Sequence, residues 1–137
     1  MIVLDTNILS ELRKNKPHGA VALWFTKNPL STCAVPAAAI YELQAGAERT
    51  RRQDRAKAAE IDAWITQVEG SVIVLPFGAT EARMTAFLMR RQQQDLLMDA
   101  MIAATALTHG MTVATRNTGD FERFGVAQVN PFLFREG

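Results

Sequence analysis

The chain opens on a short β-rich apolar run, Ile2–Leu4, which gives way at once to Asp5-Thr6-Asn7 and then to apolar residues at Ile8, Leu9 and Leu12. Capping residues between an extended run and a helical spacing predict a strand followed directly by a helix. Pro17 interrupts that segment, a second helical pattern spans residues 20–25, and Asn28-Pro29 ends it before a strand predicted over residues 30–35. Pro36 suits the first turn of a helix, and residues 37–48 continue it with strong helix formers apart from Gly46. A longer helix is predicted from residue 51 to 68, charged at first and then amphipathic through Ala59, Ile61, Trp64, Ile65 and Val68. Residues 72–75 form an unalternating β-branched run of the kind buried on both faces of a sheet.

The second half repeats the alternation. A helix is predicted over residues 81–93, with Ala82, Ala86, Phe87 and Leu88 as its apolar positions, and an almost wholly apolar one over residues 100–107, stopped by His109-Gly110. A strand at residues 112–115, a helical turn near 120–124 and a last strand at 126–129 complete the chain. Short strands separated by helices predict an α/β fold: a parallel sheet with helices on both faces and its ligand site at the carboxyl ends of the strands.

Composition narrows the function. At 137 residues the chain is expected to form one domain. Its 48% hydrophobic and 21% charged residues, with a mean hydropathy of −0.01, are ordinary globular usage. Fifteen basic against fourteen acidic side chains leave a formal charge of +1, so a polyanion has to be bound locally rather than by a global field. The single cysteine, Cys33, excludes an internal disulfide and a cysteine-based zinc or iron site, and fits a reducing compartment. With no signal-like leader and no long apolar window, a cytoplasmic protein without a membrane segment is expected.

Four acids draw attention. Asp5 ends the first strand, where it serves either to cap the following helix or to present a ligand. Glu42 has Ala38, Ala39, Ala45 and Gly46 three and four residues to either side, a stripe suited to close contact rather than to a solvated face. Asp99 opens the apolar helix on the side of Ile102 and Ala103, where dipole stabilisation is the alternative, and Asp95 is its rival. Asn117 and Asp120 lie in a turn after a strand. Several carboxylates on one rim repel one another unless a divalent cation neutralises them. Oxygen donors without Cys or His point to Mg²⁺, with Mn²⁺ as a substitute, and hence to phosphate chemistry with a metal-activated water.

The basic residues and aromatics are read more plainly. Arg49, Arg51, Arg52, Arg55 and Lys57 interleave with Glu48, Asp54 and Glu60 as a solvated, salt-bridged face, whereas Arg116, beside the acids, is the better phosphate contact. Trp24, Trp64, Phe77 and Phe87 fall on apolar positions and are expected in the core, with His18 and His109 on the surface.

Along almost its whole length the chain resembles the PIN-domain ribonucleases, and within them the VapC toxins of type II toxin-antitoxin pairs, FitB-like branch. The resemblance runs through Val3-Leu4-Asp5-Thr6-Asn7, Tyr41-Glu42-Leu43-Gln44-Ala45-Gly46, Asp99-Ala100-Met101-Ile102-Ala103-Ala104, Thr115-Arg116-Asn117, Asp120-Phe121 and Asn130-Pro131. It implies a single PIN domain over residues 1–137, an α/β/α fold with a parallel sheet of four to five strands. It also implies a Mg²⁺-dependent endoribonuclease whose metal site is Asp5, Glu42, Asp99 and a fourth position at Asp120 or Asn117. Thr6 and Asn7 then support Asp5, Thr115 and Asn117 are hydrogen-bonding neighbours, and Arg116 positions substrate. A homodimer, and a higher assembly with a cognate VapB/FitA-like antitoxin, follow from the same resemblance. Two departures stand out before Asp99: Gln92 where glycine is usual and Asp95 where an apolar residue is usual. The competing readings are a non-catalytic PIN-like binding module and another Mg²⁺-dependent phosphohydrolase. A haloacid-dehalogenase-like phosphatase needs an acid where Asn7 stands, and a receiver domain needs one where the middle strand ends Leu75-Pro76.

Overall fold

Ile2–Leu4 forms strand β1, with Val3 and Leu4 wholly buried. In the computed structural model, which describes residues 1–136, four more strands run parallel to it. They are β2 (Cys33–Pro36), β3 (Ile73–Leu75), β4 (Thr112–Ala114) and β5 (Gln128–Val129). The order across the sheet is β3-β2-β1-β4-β5, and Ile2 registers against Cys33 on one side and Thr112 on the other.

Seven helices connect the strands. α1 (Thr6–Glu11) and α2 (Gly19–Lys27) lead to β2, α3 (Ala37–Arg51) and α4 (Arg55–Ser71) to β3, α5 (Ala79–Met89) and α6 (Leu97–Thr108) to β4, and α7 (Thr118–Arg123) to β5. The first two crossovers step outward on one side of β1 and the third returns to its other side. Right-handed connections therefore lay α1–α4 on one face and α5–α7 on the other. The direction reverses between β1 and β4, and the crevice beyond the carboxyl ends of those two strands is where such sheets receive ligands. The ladder runs one residue into that crevice: Asp5 N–H donates to Ala114 O (2.9 Å) and Thr115 N–H to Val129 O (2.9 Å).

Several sequence expectations shift. The helix expected from residue 51 begins at Arg55, because Asp54 caps it with a carboxylate accepting from Lys57 N–H (3.0 Å), and Arg51 ends α3 instead. Leu30–Thr32 is a 3₁₀ turn rather than the start of a strand. The run at 72–75 is not buried on both faces: β3 is an edge strand, Ile73 is 50% exposed, and Leu75 alone of its three residues is buried. On α4 the buried alanine is Ala58, not Ala59. On α5 the residue turned inward is Thr85, its hydroxyl donating to Glu81 O (2.7 Å), while Ala82, Ala86 and Phe87 face solvent. Trp24 is buried as expected, Trp64 and Phe77 are half-buried, and Phe87 is 57% exposed. No helix among the described residues is long and apolar enough to cross a membrane.

Candidate active site

Asp5 follows β1 at the point where the chain turns into α1, and its buried carboxylate is held on three sides. Oδ1 accepts from Thr6 N–H (2.7 Å), while Oδ2 accepts from the Thr115 hydroxyl (2.7 Å) and the Asn7 amide (3.1 Å). Asp5 is thus both a helix cap and part of the cluster. The two readings left open in the sequence are compatible, because a carboxylate has lone pairs left over after three such bonds. Burial raises its pKa, with Glu42 repulsion adding to that, against the lowering effect of its hydrogen bonds.

Glu42 reaches the same place from α3. The Thr6 hydroxyl donates to its Oε1 at 2.6 Å, so one residue at the start of α1 ties two acids together, by its backbone to Asp5 and its side chain to Glu42. Asp99 arrives in the first turn of α6 and Asp120 in the first turn of α7. Asp99 is pushed up to about 7, first by burial, then by the charges of Asp5, Asp120 and Glu42 and by a hydrogen bond shared with Asp120. That coupling brings the four acids into one electrostatic unit. Asp95, by contrast, is exposed in the turn before α6. Asn117 is exposed at the start of α7, where its N–H donates to Thr115 Oγ1 (2.9 Å).

Among the described residues, no three acids, histidines or cysteines form a group that could hold a metal ion with their side chains as they stand. Mg²⁺ suits such a site, since it takes a few carboxylates and keeps several waters, and the mutual repulsion on Asp99 is the charge it would neutralise. The donors are all oxygens; His18 and His109 are exposed elsewhere.

This arrangement of acids at the switch point of a parallel sheet coincides with a family match over residues 2–127 to the PIN domain. The chain belongs to the PIN-domain family. The VapC ribonuclease Y4jK of Sinorhizobium fredii is 36% identical over 96% of this chain and 98% of its own length. The toxin FitB of Neisseria gonorrhoeae is 30% identical over 96% of this chain and 99% of its own. Among solved structures, FitAB bound to an IR36 DNA fragment superposes with a TM-score of 0.80 at 30% identity, covering 99% of both chains. This PIN domain thus sits with the VapC and FitB toxins.

Arg116 is exposed beside the acids and is held by two contacts. Its backbone N–H donates to Asn7 Oδ1 (3.2 Å), and its guanidinium lies 4.4 Å from the Phe132 ring centroid, with His18 packed on the same ring at 5.0 Å. Asn7 is consequently committed to Asp5 and Arg116, and no acid stands where a dehalogenase-like phosphatase would need one.

Glu11 belongs to the opening stretch of the resemblance, residues 3–12, in which it had no role assigned. Its buried carboxylate accepts from His18 N–H (2.9 Å) and pairs with Lys14, fastening the turn between α1 and α2, and its pKa is lowered chiefly by the Lys14 hydrogen bond. An acid at the apolar end of α1, four residues after Asn7, was the available signal.

Proposed function

We propose that this PIN domain is the toxin of a type II toxin-antitoxin pair and acts as a Mg²⁺-dependent endoribonuclease, Mn²⁺ being able to replace Mg²⁺. The observation that carries this reading is the placement of Asp5, Glu42, Asp99 and Asp120 by four different elements at one end of the sheet, with Thr6 tying Asp5 to Glu42 through its N–H and its hydroxyl, and with burial and the neighbouring acids raising the pKa of Asp99. Structural carboxylates are not gathered this way, since their repulsion opposes folding. Asp5, Glu42, Asp99 and Asp120 hold the cation. When bound, it supplies Lewis-acid chemistry, making a water nucleophilic near neutral pH and offsetting charge on the phosphoryl oxygens. The chain's own contribution is orientation. Thr115 and Asn7 fix the plane of the Asp5 carboxylate, and Thr6 fixes Glu42 against it. Asp120, rather than Asn117, supplies the fourth acid, because its charge and hydrogen bond both reach Asp99.

The names of the relatives support a ribonuclease, and the FitAB neighbour supports a cognate antitoxin as partner. Exposed Phe87 on α5 and Tyr41 on α3 leave apolar surface for that partner or for the second copy of a homodimer. The test is incubation of mixed RNA with purified protein in Mg²⁺, Mn²⁺ or EDTA, beside Glu42→Gln and a small phosphate ester. Internal cuts that need the cation and vanish in Glu42→Gln are expected, with the ester untouched. Ester turnover, or cuts that survive EDTA, would refute the assignment.

A further inference from the structure

A cavity of about 400 Å³ is lined by residues of α1, α3 and α4 and shares Thr6 and Glu42 with the acidic cluster. Gly46, Trp64, Arg13 and Arg49 line it as well. The volume lies in the range of pockets that enclose a small organic ligand, which ranges over about 300–1,000 Å³.

Two features of its charge are informative. Among the described residues, neither Arg13 nor Arg49 is in an ion pair, although Arg51 on the same helix binds both Glu48 and Asp62. The basic run of α3 therefore divides: Arg51 is committed to the fold and Arg49 is left for a ligand. The Arg49 guanidinium also folds back along its helix, lying 3.7 Å from where a Cβ on Gly46 would be. Gly46 is one turn from Glu42, about 6 Å of helix rise. The Arg49 guanidinium thus lies over the turn of α3 next to the one that carries Glu42, in the lining of the same cavity.

We propose that this cavity receives the nucleotide adjoining the scissile bond of single-stranded RNA, with Arg13 and Arg49 holding its phosphate. This rests on the ribonuclease reading. The strand would run from the acidic cluster over Gly46, with Trp64 along the sugar or base. Arg13 and Arg49 are positioning residues: they select and anchor the strand without touching the reacting atoms.

The experiment is fluorescence anisotropy of a short labelled single-stranded RNA of mixed sequence, titrated at several salt concentrations in EDTA in a Glu42→Gln background that keeps the probe intact. Arg13→Ala and Arg49→Ala are each expected to weaken binding several-fold and to flatten the slope of log K against log salt by about 0.7. In the otherwise wild-type enzyme they are expected to raise KM and spare kcat. Gly46→Met brings a longer side chain and a better helix former into the cavity lining, its Cβ in ordinary contact with the Arg49 guanidinium, and is expected to fold and bind RNA weakly. Lys57→Ala removes the same charge from exposed α4 and is expected to change nothing. Affinities and slopes equal to those of the parent, or an equal loss in Lys57→Ala, would overturn the subsite and leave an acidic partner segment as occupant. If RNA is cut in Mg²⁺ by the wild type, such a result removes the subsite alone; if the wild type neither binds nor cuts RNA, the ribonuclease reading falls with it.

Discussion

At the scale of single residues, the site is governed by burial and by acids whose charges oppose one another. Asp99 has a pKa of about 7 in the fold against 3.8 unfolded, so the folded state holds the extra proton between those values. Stability contributed at this position is therefore lost as pH rises from about 4 towards 7, and the full penalty is present above 7. Asp99→Asn is expected to raise the Tm of the cation-free protein at pH 8 and to make little difference at pH 4, while abolishing cleavage. Thermal unfolding in EDTA at both pH values checks this, and a wild-type advantage at pH 8 would contradict it. Thr6 offers a separate test, because its hydroxyl orients Glu42 at 2.6 Å while its N–H caps onto Asp5. Thr6→Val keeps the shape and the N–H but removes the donor to a charged acceptor, and is expected to reduce kcat on the order of tenfold, with Thr6→Ser restoring it. Equal activity in the valine variant would remove Thr6 from the orienting role.

Elements show where the sequence was legible and where it was not. β1, the first turns of α3 and the body of α6 could be read because an apolar run, a run of helix formers and an apolar helix each keep one pattern there. The acids of the proposed site stood out locally: Asp5 ends a strand, Asp99 and Asp120 lie in first turns of helices, and Glu42, in the second turn of α3, is flanked by small residues. What failed was exposure. Ile73 and Val74 look like a central strand, and only the sheet order, which local sequence does not carry, makes them an edge. Phe87 was read as core for the same reason, although α5 turns Thr85 inward and satisfies its hydroxyl within the helix. The joint between α3 and α4 was hidden in a run of charges, where Asp54 reads equally as part of a salt-bridged face or as a cap. Its role as cap gives a prediction: Asp54→Ala is expected to cost about 1 kcal/mol and to lower the urea midpoint without changing the m-value. An unchanged midpoint would mean that packing of α4 on α3, not the cap, fixes where the helix begins.

For the whole molecule, the proposed cation site predicts that folding is coupled to the cation. β1 and β4 bring Asp5 and Thr115 side by side across the point where the sheet reverses, and α3, α6 and α7 deliver the remaining acids from both faces. The repulsion is distributed over elements that are far apart in sequence, so relieving it stabilises the tertiary arrangement rather than one helix. A cation that binds the folded state alone adds stability in proportion to the logarithm of its concentration, about 1.4 kcal/mol per tenfold increase beyond its Kd. Tm is accordingly expected to climb steadily with Mg²⁺ and to return to its starting value with EDTA. In Glu42→Gln and Asp99→Asn that climb should be shallow, even though the asparagine variant starts from a higher Tm. The two effects run in opposite directions from one cause, which separates a cation site from a merely destabilised crevice: repulsion alone predicts the raised starting point without the dependence on Mg²⁺. A wild-type Tm indifferent to Mg²⁺ and Mn²⁺ across that range would show that these acids hold no cation, and the hydrolytic reading would lose its centre.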